Sequence, residues 1–178
     1  MKRLACATMG LMALTMTSGC GYALAGRGSF LPAYIKVVGV PAFDNRTSIS
    51  NIDRVLTDRV RTEFGSRGRY RVQPDTNNVD AILTGTITNI GLTNTAYTAG
   101  SQAARVFLTV TASFEFRDVR DNKVLWSSPS LAFREEYAPT SATTGTDVSA
   151  FFGANANAME RLAQNFARSV VTSILEAF

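Results

Sequence analysis

Apolar side chains recur along this chain with two periods, one near two residues and one near 3.6, and the switches between them mark out the elements. Residues 34–40 form a β-branched run that is apolar on both faces and stops at Pro41, which predicts a buried central strand. Asn45, Arg46, Thr47 and Ser48 carry turn chemistry. Ser50 or Asn51 can cap the helix that follows, with Asp53 in the first turn, where the helix dipole favours an anion. Ile52, Val55, Leu56, Val60 and Phe64 then fall at helical spacing, with Arg54, Asp58, Arg59, Arg61 and Glu63 mostly on the other side. Gly65 or Gly68 is expected to end this amphipathic helix.

Residues 70–73 predict a short strand and 74–78 a turn. From 81 to 92 Ile and Thr dominate, and Gly85 and Gly91 suggest a bend or bulge in a long strand. Residues 93–104 are small and polar, the composition of a mobile hairpin loop. The clearest alternation comes next: Val106, Leu108, Val110, Ala112, Phe114 and Phe116 share one face, and Arg105, Thr109, Thr111, Ser113, Glu115 and Arg117 share the other. Residues 118–122 read as a hairpin turn and 123–137 as the returning strand, where Pro129 demands a bulge or an edge position. A low-complexity Thr/Ser/Pro/Gly loop at 138–146 leads to a long amphipathic helix through Phe152, Ala156, Met159, Ala163, Phe166, Val170 and Ile174. Its start is open: Thr146 or Asp147 can cap it, and so can Asn157 with Glu160 three residues on. The order of elements predicts an α+β two-layer sandwich, with a mixed, mostly antiparallel sheet of four to five strands and two helices packed on one face.

Composition narrows the chemistry. The 178 residues include no His, so Ser-His-Asp and Cys-His catalytic arrangements and His-rich zinc sites cannot be built, and no metal site is expected. With 46% hydrophobic and 18% charged residues the chain can form an ordinary core. Net charge is +4, from 18 Lys+Arg against 14 Asp+Glu, without runs of like charge, so no nucleic-acid partner is expected. The only acid-rich stretch holds Glu115, Asp118, Asp121, Glu135 and Glu136. The adjacent pair Glu135-Glu136 points to opposite faces of a strand and cannot act together as general acid and base, so the chain reads as a non-enzyme.

The first residues read as an export signal. Met1-Lys2-Arg3 is followed by an uncharged stretch to Met16 and then by Thr17-Ser18-Gly19-Cys20. This resembles the lipobox at which bacterial lipoproteins are cleaved and acylated, with Thr17 in the place usually held by Leu. Cys6 would leave with the signal, so Cys20 becomes the one thiol of the mature chain and the lipidation site, carrying diacylglycerol and an N-acyl chain; no other cofactor is expected. Loss of Lys2 and Arg3 lowers the balance to 16 minus 14, or +2. The expected division is a signal peptide at 1–19, a lipidated tether at 20–33 and one α+β domain at 34–178.

The chain after the cysteine resembles the lipopolysaccharide-assembly lipoprotein family LptE. The resemblance is carried by Cys20-Gly21-Tyr22-Ala23-Leu24-Ala25-Gly26, Phe30-Leu31-Pro32, the strand ending at Pro41, Phe43 and Asn45-Arg46-Thr47, the Leu-Thr-Gly-Thr-Ile strand at 83–87, a hairpin containing Trp126 and a final helix. It implies an outer-membrane lipoprotein on the periplasmic face that plugs and helps assemble the large LptD β-barrel and binds lipopolysaccharide on its way to the surface. A plug needs a polar face able to hydrogen-bond, which Thr84, Thr86, Thr88, Thr109, Thr111 and Ser113 can supply. Lipopolysaccharide needs cations near phosphates and sugar acids. The candidates are Arg105, Arg117, Arg120 and Lys123, at strand ends and the turn between them; a solvated charged hairpin is the plainer reading of the same residues. Tyr22, Phe30 and Leu31 are candidates for docking the tether on the body. Peptidoglycan-synthase activators and the curli-secretion lipoprotein share the anchor and the Pro-x-Phe-x-Asn-Arg-Thr stretch, so a regulatory or secretion lipoprotein is the alternative.

Overall fold

The computed structural model describes residues 31–67, 69–97, 103–138, 147–155 and 157–178, without the side chains of 95–97 and 103–104. Six strands form one mixed sheet: β1 Val37–Gly39, β2 Asp44–Asn45, β3 Arg71–Gln73, β4 Ala81–Tyr97, β5 Ala103–Asp118 and β6 Val124–Tyr137. Their order is β3-β1-β4-β5-β6, with β2 paired to β4. The short pairs β1–β3, β1–β4 and β2–β4 are parallel, and the long ladders β4–β5 and β5–β6 are antiparallel. The helices are α1 Ile52–Ser66, α2 Val148–Ala154 and α3 Ala158–Leu175. The α+β two-layer expectation therefore holds, with the short β2 taking the strand count past the expected four to five.

The core lies between the sheet and the helices. Alternation in β5 buries Val106, Leu108, Val110, Ala112, Phe114 and Phe116, each at most 4% exposed. The faces of α1 and α3 that meet them carry Leu56, Val60, Phe64, Leu162, Phe166, Val170 and Ile174, all fully buried. The two helices run side by side in the same direction: Arg59 pairs with Glu160 near their starts, and Arg67 donates to Thr172 Oγ1 at 3.1 Å near their ends. Leu31, expected to belong to the tether, is also part of this core at 4% exposure; Tyr22 and Phe30 lie outside the described residues.

Local details differ from the pattern reading for identifiable reasons. Asn51 precedes α1 in the left-handed region with φ 63°, which Asn tolerates, and its side chain caps no amide. The helix runs through Gly65 and ends at Ser66. β4 is displaced by a bulge between Ile87 and Asn89, not at either glycine. Gly85 instead makes room: a Cβ there would lie 2.6 Å from Phe114 and 2.9 Å from Phe43, whose rings meet edge to face at 5.4 Å. Gly39 plays a similar part in β1, where the Asp75 carbonyl comes to 2.6 Å of the position a Cβ would take. Residues 93–97 and 103–104, expected as loop, extend the β4–β5 ladder as strand. Pro129 sits on the edge strand β6 within a register shift.

The long C-terminal helix is divided. Asp147 caps α2 by accepting from the amides of Ser149 and Ala150 at 2.8 and 3.1 Å. Asn155 then ends that helix, its Nδ2 donating to the Phe151 carbonyl at 2.9 Å. Side chains that bond the backbone locally compete with helix continuation, and the Gly153-to-Asn157 stretch is rich in poor helix formers. Asn157 precedes α3 without a side-chain cap, so no Asn157–Glu160 capping box forms.

Candidate functional site

Among the described residues no element covers β4, β5 and β6 on the side away from the helices. Alternation that buries every second residue of β5 delivers the intervening ones to this open face. Thr84 stands opposite Glu115, Thr86 opposite Ser113, Asn89 opposite Thr111 and Gly91 opposite Thr109. Two hydroxyls are used inside the sheet: Thr88 donates to the Thr111 carbonyl at 3.0 Å and Thr84 to the Glu115 carbonyl at 3.4 Å. The side-chain hydroxyls of Thr86, Thr109, Thr111 and Ser113 make no hydrogen bond among the described residues. A shallow groove of about 400 Å³ lies here, with Gly85 and Phe114 at its floor and Thr84, Thr86, Ser113, Glu115, Ser127 and Pro129 around it. The six hydroxyl residues predicted as a polar face are thus brought together.

Charged groups bracket that hydroxyl field. At the end nearer the β4–β5 connection, Arg105 pairs with Glu136 at 2.9 Å and the Arg134 guanidinium lies 4.1 Å from the centre of the Phe107 ring. Phe107, an aromatic on the polar face, escaped the sequence reading; its position in the β5 alternation was the available signal. At the other end Arg117 donates to Glu115 at 2.6 Å and to the Asn122 carbonyl at 2.7 Å, which ties the strand to the β5–β6 turn.

The four candidate cations do not form one cluster. Arg117, Arg120 and Lys123 surround the β5–β6 turn, whereas Arg105 lies twelve residues earlier on the same strand, on the order of 40 Å away at strand rise. Arg120 stacks over the Tyr34 ring at 4.8 Å, and its amide donates to Asp118 at 2.8 Å. Lys123 donates its amide to Asp121 at 3.1 Å. The Tyr34 hydroxyl donates to the Asp118 carboxylate, which holds the phenol above its ordinary value. Asp80 accepts the amides of Lys36 and Val37, both at 2.8 Å, and these bonds hold its carboxyl below the usual range. Cys20 lies outside the described residues.

Glu135 and Glu136 point to opposite faces, as the strand geometry requires. Glu136 meets Arg105, while Glu135 turns toward α3, where one oxygen accepts from Asn165 at 2.8 Å. Its other oxygen is buried without a hydrogen-bond partner among the described residues. Tyr137 beside it is raised well above the ordinary phenol range, first by burial and then by the Glu135 charge.

The Pro-x-Phe-x-Asn-Arg-Thr stretch is explained by packing. Phe43 fills the space over Gly85, and its amide donates to Thr57 Oγ1 at 3.0 Å. Asn45 donates to the Ile49 carbonyl and accepts from the amide and hydroxyl of Thr47, at 2.8 to 2.9 Å, which locks the turn between β2 and α1. Arg46 points out to an exposed pair with Asp44. The motif's Phe, Asn and Thr thus hold the β2–α1 connection in place.

Comparison with known structures places this fold among several small bacterial proteins. The PelC dodecamer from Paraburkholderia phytofirmans is 16% identical, with 83% of this chain and 91% of that one covered at a TM-score of 0.50. The hypothetical protein CT253 from Chlamydia trachomatis is 12% identical, with 79% and 96% covered at a TM-score of 0.52. At these identities the likeness concerns the fold alone. Comparison with curated protein sequences gives no match. The family model described as LptE, lipopolysaccharide-assembly, matches residues 35–174, from the first strand to the end of α3. The chain therefore belongs to the LptE lipopolysaccharide-assembly family, non-enzymatic accessory lipoproteins of the outer membrane.

Proposed function

We propose that the protein is the lipoprotein subunit of an outer-membrane lipopolysaccharide translocon. In this reading residues 1–19 are removed, Cys20 is acylated, residues 20–33 tether the domain to the periplasmic face, and the domain plugs and helps assemble an LptD-type β-barrel while binding lipopolysaccharide. The observation that carries it is the uncovered hydroxyl field on β4 and β5, backed by a rigid helix layer. Free hydroxyls on a fixed sheet suit a partner surface of polar side chains and backbone edges, because each new hydrogen bond needs little further ordering of the chain.

Arg105, Arg117, Arg120 and Lys123 are assigned to lipopolysaccharide contact in two separate groups. Arg120 and Lys123 make no ion pair with a carboxylate among the described residues, and Val119 and Val124 beside them are 45% and 39% exposed. Arg105 and Arg117 already hold Glu136 and Glu115, so they would contribute only by exchanging partners.

The test is affinity purification in mild detergent, with identification of the co-purifying proteins, alongside depletion of the protein in cells. The expected result is a large outer-membrane barrel in the eluate, and loss of surface lipopolysaccharide with barrel misassembly on depletion. Normal surface lipopolysaccharide with a correctly folded barrel after complete depletion overturns the reading. Recovery of a peptidoglycan synthase or secretion pore in place of the barrel points to the other class of envelope lipoprotein.

A further inference from the structure

One end of the domain carries an unusual combination. The starts of β1, β3 and β4, the β5–β6 turn and the ends of α1 and α3 all lie there, as the parallel and antiparallel registers require. Leu31 enters the core at the same end, and its neighbours Pro32, Ala33, Ile35 and Tyr70 help form a cleft of about 540 Å³. Lys36, Arg69 and Arg71 rim that cleft, and no acidic residue lines it among the described residues. Lys36 and Arg71 make no ion pair among the described residues.

The exposed apolar side chains lie at this end as well. Among the described residues the large hydrophobics left exposed are Tyr34 at 41%, Val119 at 45%, Val124 at 39% and Phe178 at 40%. Tyr34 reaches Asp118 next to Val119, Val124 opens β6, and Phe178 follows α3. Three acids at this end accept backbone amides, Asp80 from Lys36 and Val37, Asp118 from Arg120 and Asp121 from Lys123, while Glu176, two residues before Phe178, is exposed. Scattered single hydrophobics are ordinary on a protein surface, but their gathering at one end beside cations is the composition of a surface that meets a bilayer interface.

We infer that this end of the domain is a membrane-apposed surface, which seats Lys36, Arg69 and Arg71 among anionic lipid headgroups and Tyr34, Val119, Val124 and Phe178 at the acyl boundary. The inference rests on the reading of Cys20 as the lipid anchor. Leu31 follows Cys20 by eleven positions, which can span no more than about 40 Å, so the anchor keeps the body close to the leaflet and the basic end is the one that leads back to it. Cations near a negatively charged leaflet contribute about fivefold each to binding. The lipid chains then hold the protein in the membrane, and this surface sets its orientation there.

The test uses the mature acylated protein with an environment-sensitive fluorophore on a Val119→Cys thiol, in vesicles without lipopolysaccharide. A second protein carries the label on Ser48→Cys, before α1 at the opposite end. On phosphatidylglycerol vesicles the label at 119 is expected to move to an apolar environment, to return to water in 0.5 M salt, and to stay in water on phosphatidylcholine, while the label at 48 is unchanged. Lys36→Glu with Arg71→Glu is expected to weaken docking at least fivefold per site, and Lys36→Arg with Arg71→Lys to keep it. A 119 signal that is equal on both lipids, or a label at 48 that responds equally, overturns the inference. Flotation with phosphatidylcholine reads the anchor separately. If the protein does not float there, the Cys20 reading fails, and the response at 119 on phosphatidylglycerol still decides the surface.

Discussion

The two faces of β5 are made by the same backbone, one residue apart, and they do opposite things. Phe116, Phe114, Ala112, Val110 and Leu108 meet the helices and vanish from water. Ser113, Thr111 and Thr109 stay partly exposed with hydroxyls that the chain does not use. The first face carries the stability of the fold. The second contributes little to stability, so its composition is free to serve a partner. Substitutions can separate these roles, because the cost of each change should follow the face it lies on.

The largest effect is expected from Phe116→Ala. Its ring is fully buried and stacks on Phe64 at 6.4 Å. Removing a buried aromatic leaves a cavity as well as lost transfer energy, about 3–5 kcal/mol, to be read from the denaturant midpoint. Next come the two glycines of β4. Gly85→Ala would drive a methyl into Phe114 and Phe43 and should cost about 1–3 kcal/mol. Gly91→Ala on the open face meets nothing closer than Asn89 Nδ2 at 3.8 Å, so it should be neutral or slightly stabilising, since alanine loses less backbone entropy on folding. Equal costs for the two would mean the open face is not open.

A pH series tests the same boundary at the end of β6. Tyr137 lies on the helix side at 4% exposure, and burial raises its phenol above the ordinary value. The folded chain holds that proton more tightly than the unfolded chain does. The contribution is therefore fully present below a pH of about 10 and is lost as pH rises beyond it. Tyr137→Phe gives up only a 3.5 Å bond to the Ala158 carbonyl, and thermal melts taken above a pH of about 10 should show a flatter loss of stability than the unaltered protein does. An unchanged slope would place the phenol in water. Smaller still, Arg134→Ala removes the cation from over Phe107 on the open face and should cost about 0.5–1 kcal/mol.

The same contrast explains what the sequence made legible. β5 was readable because its alternation is unbroken from Leu108 to Arg117, and α1 because its apolar spacing is regular. Both signals are local. The six hydroxyl residues were placed on one face for the same reason. What escaped depended on contacts distant in sequence. Gly85 resembles a bend until Phe114 and Phe43 are seen across from it, and two residues at 44–45 become a strand only because β4 lies alongside. The break between α2 and α3 is a competition between side-chain and backbone acceptors that an apolar stripe continuing through it conceals. Arg105 and Arg117 share one face of one strand, yet the length of that strand holds them far apart.

The smallest expected change in stability is the most informative about function. Thr109→Ala, Thr111→Ala and Ser113→Ala remove hydroxyls that have no partner among the described residues, so each should shift stability by no more than about 0.5 kcal/mol. If a barrel packs on this face, the combined variant leaves buried groups of the partner without their hydrogen bonds, at about 1–3 kcal/mol for each. The folded, acylated triple variant should then retain at least tenfold less barrel than the unaltered protein through detergent washes. Full retention, with the melting temperature also unchanged, would remove the hydroxyl field from the interface. Phe116→Ala is the useful contrast: it would lower barrel recovery only through lost folded protein, so recovery per folded molecule should stay level. Loss of barrel with an unaltered melt in the triple variant, against loss of melt with unaltered recovery per folded molecule in Phe116→Ala, is the outcome that requires the two faces of one strand to have separate duties.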